Sequence, residues 1–226
     1  RDPLHGFATL PELRSLLDRV ARAGKSTTAY LETAGEFAPG NLQYYVASAC
    51  RRVVLNPMGD INLTGLRIQT PFARGTFDKL GIDPEFPGIG DYKSARFFYT
   101  EKDFTPEARE MTDWLVSGIL DRMVDGIASG RAMEPAHVRE LMDRGPYVGR
   151  EAVDAGLVDA MEDWTGFVER LEAKAEGGAK FVSAGSYLGQ VKKPGSGPKI
   201  AVVTAVGGIM RGDSRKSFNP LLGGDV

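Results

Sequence analysis

The fold is decided by residues 26–65, which read STTAYLETAGEFAPGNLQYYVASACRRVVLNPMGDINLTG. The segment opens with a β-rich run, STTAYLE (26–32), and passes through a turn-forming stretch, GEFAPGN (35–41), into a helical stretch, LQYYVASA. Two short strand candidates follow, RRVVLNP (51–57) and DINLTG (60–65), on either side of a turn. Strands that alternate with helices of this length predict an α/β layered fold.

The sequence on either side of this segment predicts two helices, each ended by a glycine. In the first helix Thr9 and Glu12 have the spacing of a capping box, and Gly24 is the stop. The second helix lies in PFARGTFDKLG (71–81), with Gly81 as its stop. The apolar face of the first helix consists of Leu13, Leu16, Leu17 and Val20.

A long helix is predicted to begin at Thr105 and Pro106. Its apolar residues recur near helical spacing, which is typical of a core face or a subunit interface more than of a cofactor site. Further helices are predicted in PAHVRELMDRG and WTGFVERLEAKAE. The apolar stripe of the long helix consists of Met111, Trp114, Leu115, Ile119 and Met123.

Composition along the chain predicts two domains. Residues 1–176 form an amino-terminal domain, and the Gly-, Ser-, Lys- and Pro-rich segment 177–198 is typical of a linker. Residues 199–226 begin with a buried-strand pattern, KIAVVTAV, that opens a second domain. The chain starts with Arg1 instead of Met and stops soon after this strand, so we expect the first domain to be incomplete at its start and the second to be mostly absent.

The overall composition narrows the class of function. With 226 residues, 42% apolar and 26% charged, the chain can bury a globular core. A net charge of -2 without a long basic run argues against nucleic-acid binding and favours a peptide or small-molecule partner. The single cysteine, Cys50, is expected in the core. No stretch of about 18 apolar residues predicts a membrane span within the chain.

Short motifs exclude several kinds of site. GKST (24–27) lacks the earlier glycine of a phosphate-binding loop and follows a helix where it should precede one. The triplets NLT and RGD are too short to be informative. The two histidines form no HExxH motif or His/carboxylate cluster, so no metal or other cofactor is expected. A proton transfer in this chain therefore requires another type of residue.

Lysine can replace histidine as a general base, because burial of an amine removes the hydration that favours its charged form. Lys93 has the most suggestive context, since the Gly- and Pro-rich PEFPGIG precedes it and aromatic residues flank it. From local sequence alone a solvated surface lysine is the simpler interpretation. Ser94 is not expected to be the nucleophile, because neighbouring side chains in a strand point to opposite faces.

Five segments in order resemble the signal peptide peptidase A, or protease IV, family. They are residues 24–66, GDYKSA (90–95), FTPEAREMT (104–112), GREAVDAGLVDA (149–160) and GPKIAVVTAVGGIMRGDS (197–214), the last similar to the start of the family's second domain. The resemblance therefore spans nearly the whole chain.

The resemblance implies a ClpP/crotonase-like fold of stacked β-β-α units and a serine peptidase that degrades cleaved signal peptides. In the family's long form the first domain supplies a lysine base and the second supplies the serine. Lys93 matches the lysine of the YKSA motif, although Asp91 stands where the family often has Lys. The serine and its oxyanion donors would then lie beyond Val226. The resemblance also implies a homo-oligomer at the periplasmic face of the bacterial cytoplasmic membrane, anchored outside this chain.

Two other interpretations remain open. A non-catalytic scaffold domain of the same fold would bind peptides without cleaving them, and a serine in a Gly-rich turn after Val226 would distinguish the enzyme from it. An acyl-CoA-binding crotonase relative would have an adenine-nucleotide pocket and would give Lys93 no special burial.

Overall fold

The computed structural model describes residues 7–36, 38–174 and 181–191, together with the backbone of 218–219 and 224–225. The chain divides into two compact units, Arg1–Ala179 and Lys180–Val226.

Strands and helices alternate through the first unit, which confirms the predicted α/β fold. The strands of this unit are β1 (Thr28–Leu31), β2 (Arg52–Leu55), β3 (Asp60–Ile61), β4 (Tyr147–Val148) and β5 (Ala160–Met161). The helices of this unit are α1 (Thr9–Arg22), α2 (Asn41–Ala47), α3 (Arg74–Leu80), α4 (Phe97–Thr100), α5 (Pro106–Arg131), α6 (Pro135–Arg144), α7 (Arg150–Asp154) and α8 (Trp164–Ala173), with a 3-10 turn (Ser94–Arg96) before α4.

A parallel sheet lies at the centre of the unit, with β2 between β1 and β5. Leu55 of β2 is opposite Leu31 on one side and Met161 on the other. Parallel neighbours need a crossover connection, and α2 supplies it between β1 and β2. A second, antiparallel pair joins β3 to β4, where Ile61 is opposite Tyr147. Strand pairing therefore brings together the two ends of the predicted amino-terminal domain.

The core packs between this sheet and helices α2 and α5. Tyr44 and Tyr45 of α2 are buried. The Tyr44 hydroxyl donates a hydrogen bond to the Leu157 carbonyl at 2.6 Å. Leu157 and Val158 are also buried, and Cys50 is buried as expected from the sequence.

Helix α1 has the predicted extent but not the predicted cap. Ala8 occupies the N-cap position and no side chain caps it, so the predicted capping box is wrong. The reason is that Thr9 is the first residue within the helix instead of the residue before it. Leu10 is the buried residue of α1, whereas Leu16 and Val20 of the predicted apolar face are exposed.

Helix α5 begins as predicted, because the Thr105 side chain accepts a hydrogen bond from the Ala108 N–H at 3.2 Å and Pro106 opens the helix. Its predicted stripe divides into two parts. Met123 is fully buried, but Trp114 is 79% exposed. The prediction of a core face therefore holds for the second half of the helix, while the first half presents apolar side chains at the surface.

The second unit contains helix α9 (Ala184–Gln190) and the antiparallel strands β6 (Phe218–Asn219) and β7 (Gly224–Asp225). Helix α9 lies within the segment predicted as a linker, and the domain boundaries stay a prediction. The strand predicted at 199–206 falls outside the described residues. Across the part of the chain that the structure describes, no helix combines the length and the apolar character needed to cross a bilayer.

Candidate functional site

The segment that carries Lys93 is a loop that ends in a tight turn. The Lys93 N–H donates to the Gly90 carbonyl at 3.4 Å, and the Ser94 N–H donates to the Tyr92 carbonyl at 3.0 Å. Gly90 has φ +89°, a backbone conformation that residues other than glycine rarely adopt. Lys93 is the residue before the 3-10 turn, so its position follows from this glycine turn.

The Lys93 side chain is exposed, and within the described residues its amine forms no hydrogen bond or ion pair. Ser94 follows it in a 3-10 turn and not in a strand, so the reason given for separating the two side chains is wrong. Among the described residues, no serine hydroxyl is hydrogen-bonded to Lys93. The structure therefore shows an accessible amine that has no nucleophile bound to it, and the role of Lys93 stays a prediction.

Lys93 lines an open pocket of about 700 Å³. The rings of Phe86 and Tyr99 are stacked in it, with their centroids 4.7 Å apart. Ile89 lies at the rim and is 93% exposed. The site thus combines one accessible amine with apolar walls. The full lining is Phe86, Pro87, Gly88, Ile89, Lys93, Ala95, Arg96 and Tyr99.

Arg96 closes the pocket against its own loop. Its guanidinium donates to the Gly88 carbonyl at 3.1 Å and lies over the Phe97 ring, 5.5 Å from the centroid. Since Phe97 is buried, this contact ties the exposed loop to the base of α4. Both this hydrogen bond and the Phe86–Tyr99 stack are contacts between residues that line the pocket.

A second hydrogen bond joins the loop to α5. The Tyr92 hydroxyl donates to the Glu110 carboxylate at 2.8 Å. Acceptance by Glu110 and its negative charge raise the pKa of Tyr92, with smaller contributions from Glu107 and Asp91. Sequence reasoning missed this contact, because 18 residues separate the two side chains and no local pattern links them.

Another charged cluster lies at the end of α5, outside the pocket. Arg131 donates to both carboxylate oxygens of Asp159, at 2.9 and 3.0 Å, and to the Gly156 carbonyl. Asp159 also accepts from the Val53 N–H at 2.7 Å. Burial by itself raises the pKa of Asp159, but the hydrogen bonds from Arg131 and Val53 outweigh it and lower the pKa. This cluster ties α5 to the sheet.

The described residues contain no group of three or more His, Cys, Asp or Glu side chains placed to hold a metal ion.

The chain is similar to several curated proteases. It is 29% identical over 220 residues to a chloroplastic serine protease SPPA from Arabidopsis thaliana. The aligned region covers 93% of this chain and 32% of that protein. It is 28% identical over 184 residues to Protease 4 of Salmonella typhi, covering 76% of the chain and 30% of that protein. With Protease 4 of Haemophilus influenzae it shares 34% identity over 94 residues, 41% of the chain and 14% of that protein. The chain thus spans about a third or less of the length of these relatives.

A model of one protein family matches residues 21–177, which is more than half of the chain. The matched region contains the whole parallel sheet, the loop with Lys93 and the Arg131–Asp159 cluster. On this evidence, together with the similarity to the SPPA and Protease 4 proteins, the chain belongs to peptidase family S49.

Proposed function

We propose that this chain supplies the lysine general base of a Ser-Lys serine peptidase that degrades cleaved signal peptides. Lys93 is the base, and the serine and the oxyanion donors come from the second domain of the same protein, beyond Val226. The observation that carries the proposal is the accessible Lys93 amine in an apolar pocket. Its match to the YKSA motif supports the same assignment.

The chemistry needs Lys93 in its neutral form when a peptide is bound. Its amine takes the proton from the serine hydroxyl as the serine oxygen attacks the scissile carbonyl carbon. Backbone N–H groups stabilise the oxyanion, and the lysine returns the proton to the leaving amine. Water then attacks the acyl-enzyme while the lysine takes a proton from that water. The lysine passes this proton to the serine oxygen as the bond to the acyl group breaks, which releases the peptide acid and restores the serine hydroxyl.

The apolar walls of the pocket support an apolar peptide as the substrate. Phe86, Ile89 and Tyr99 offer partly exposed surface that would lose water on binding. Burial of a side chain of the size of leucine contributes about 1.5–3 kcal/mol. Cleaved signal peptides are rich in such side chains, and an extended peptide could present them to successive pockets.

The same proposal includes a homo-oligomer on the periplasmic face of the bacterial cytoplasmic membrane, with its anchor outside this chain. The support is the resemblance to the protease IV family and the bacterial origin of the two Protease 4 relatives. An acyl-CoA-binding crotonase relative would give Lys93 no special burial, and the exposed Lys93 side chain agrees with that. The match to a peptidase family argues against this interpretation.

The test uses the full-length protein, a synthetic signal peptide and cleavage followed by mass spectrometry. Lys93→Met keeps the length and removes the amine, and Lys93→Arg keeps a charge that cannot be lost near neutral pH. We expect both to lower turnover by at least about 10²-fold, the lower end of general-base catalysis, with peptide binding retained. Lys79→Met, at an exposed lysine on α3, is the matched control and should keep full activity.

The 226-residue chain by itself should bind the peptide and leave it intact, because its base lacks a nucleophile. Cleavage by the isolated chain that is lost on mutation of one of its own serines would contradict the proposed division of labour. Full activity of Lys93→Arg would show that the proton goes elsewhere. A full-length protein that binds the peptide and never cleaves it would identify the non-catalytic scaffold.

A further inference from the structure

Within the described residues, one side-chain hydrogen bond connects the turn that carries Lys93 to the long helix α5. Of the hydrogen bonds and ion pairs made by described residues 82–100, the one that reaches α5 is the bond from the Tyr92 hydroxyl to Glu110. Arg96 and Tyr99 hold the loop to Gly88 and Phe86 within the same segment, and Tyr99 also contacts the Phe77 ring of α3. None of these contacts reaches α5.

We propose that Tyr92 and Glu110 are positioning residues, whose hydrogen bond fixes the Lys93 turn against α5 so that the amine stays at the pocket. The inference rests on the proposed role of Lys93 as the base. Neither side chain is expected to touch the reacting atoms.

The geometry explains why this bond controls Lys93. Tyr92 directly precedes Lys93, and its carbonyl accepts from the Ser94 N–H inside the turn. Two side-chain torsions separate the Tyr92 backbone from its rigid ring, so fixing the hydroxyl also restricts the backbone of the turn. The anchor is firm because Glu110 lies in the second turn of α5, whose start is capped by Thr105.

The charge of the acceptor strengthens the contact. A hydrogen bond to a carboxylate is stronger than one between neutral groups. Glu107 and Asp91 add negative charge near the phenol, and together with Glu110 they raise the pKa of Tyr92. The hydroxyl therefore remains a donor throughout the neutral and mildly alkaline range in which a lysine base would work.

The test combines kinetics with a direct measure of loop mobility. In the full-length protein, Tyr92→Phe and Glu110→Ala each remove the bond, and we expect kcat to fall about 3- to 10-fold in each, the value of one hydrogen bond. KM should change by less than about twofold, since the pocket is unchanged. The double variant should lose no more than either single variant, because one interaction is removed in all three. Glu110→Gln keeps an acceptor oxygen and should recover much of the rate.

Trypsin cleavage after Lys93, compared with cleavage after Lys25 in the same molecule, measures how freely the turn opens. We expect this ratio to rise about 3- to 10-fold in Tyr92→Phe and Glu110→Ala. Asp113→Ala removes an exposed carboxylate of α5 that neither bonds Tyr92 nor is among the charges that raise its pKa. It is the matched control, with no expected change in either readout.

An unchanged trypsin ratio in Tyr92→Phe would overturn the inference, whatever the kinetics show. A raised ratio with an unchanged kcat would overturn it as well, because the turn would then open without consequence. If the proposed function is wrong, Lys93→Met will remain active. If only the inference about Tyr92 and Glu110 is wrong, Lys93→Met will be inactive and Tyr92→Phe will be fully active.

Discussion

Arg131, at the end of α5, has a charged side chain that is largely buried, with 9% of it exposed. A buried charge is costly unless a partner compensates for it. Asp159 and the Gly156 carbonyl accept four hydrogen bonds from the Arg131 guanidinium. Asp159 also accepts a hydrogen bond from the Val53 N–H of β2, the central strand of the parallel sheet. One carboxylate therefore supports both a helix end and the sheet.

Asp159→Asn should destabilise the protein by about 2–4 kcal/mol, because it leaves Arg131 without a compensating charge. Urea unfolding at neutral pH measures the change. Asp154→Asn is the matched control, since Asp154 pairs with Arg150 at the surface and such pairs contribute at most about 1 kcal/mol. Equal effects of the two substitutions would contradict the structural role given to Asp159.

The contribution of Asp159 also depends on pH. Its pKa in the folded protein is lowered below the ordinary value of 3.8, so its stabilising effect is complete above that value and is lost as the pH falls through the folded pKa. The difference in unfolding free energy between the wild type and Asp159→Asn should therefore be constant from pH 6 to 8. It should narrow below about pH 4. A difference that grows on acidification would have the wrong sign.

At the scale of single residues, sequence reasoning selected Lys93 by its motif and its glycine-rich approach. It could not select Glu110, Arg131 or Asp159, because their roles arise from contacts across 18 and 28 residues. In the segment GLVD (156–159), Leu157 and Val158 are core side chains, but the last residue, Asp159, has the larger role through its hydrogen bonds. Burial follows from local apolar pattern, whereas the partner of a charge depends on the tertiary fold.

Helices α2 and α5 approach each other closely because α5 has a glycine at the contact. A Cβ at Gly130 would lie 2.0 Å from the Ser48 backbone carbonyl oxygen, at the end of α2. Real Cβ atoms do not approach an oxygen that closely, so the helices would have to move apart. This contact holds the buried part of α5 on the core.

Gly130→Ala should therefore destabilise the protein by about 1–3 kcal/mol through overpacking, despite the higher helix propensity of alanine. Gly118→Ala lies in the same helix with no atom within 4 Å of the added Cβ. That control should be neutral or stabilise by up to about 1 kcal/mol. Thermal unfolding of the two variants distinguishes them, and a stabilised Gly130→Ala would contradict the close approach.

At the scale of elements, local signals predicted β1, α2, β2 and α3 well. Alternation and β-propensity identify strands, and Gly81 takes the left-handed conformation that ends α3. The pairing of β2 with β5 was not predicted, because strand order depends on residues far apart in the chain. The stripe on α5 shows a further limit, since periodicity tells which residues share a face and not what covers that face.

For the whole molecule, membership of family S49 confirms the expected ClpP/crotonase-like fold. The surfaces that contact other subunits or a peptide substrate are still proposals. On the first half of α5, Trp114 and Leu115 are exposed, and with Phe7 and Pro11 they line a pocket of about 530 Å³. Apolar surface of this kind is typical of an interaction site.

We expect the chain to self-associate through this surface, and Trp114→Gln to shift it towards the monomer. Light scattering over a range of concentrations measures the change. Met58→Gln is the control, because Met58 is 92% exposed in the turn after β2 and lies outside the surface. A monodisperse monomer of the unmodified chain at high concentration would contradict this expectation.

The pairing of β2 with β5 has a consequence for synthesis on the ribosome. Val53 and its partner Asp159 are separated by 106 residues, so one side of β2 remains without its neighbour while the intervening chain is made. At ordinary elongation rates this delay lasts roughly 5 to 20 seconds. During that time the apolar run of Val53, Val54 and Leu55 offers a free edge to other nascent chains. We expect the yield of folded protein in a cell to depend on how well that edge is protected until translation passes β5.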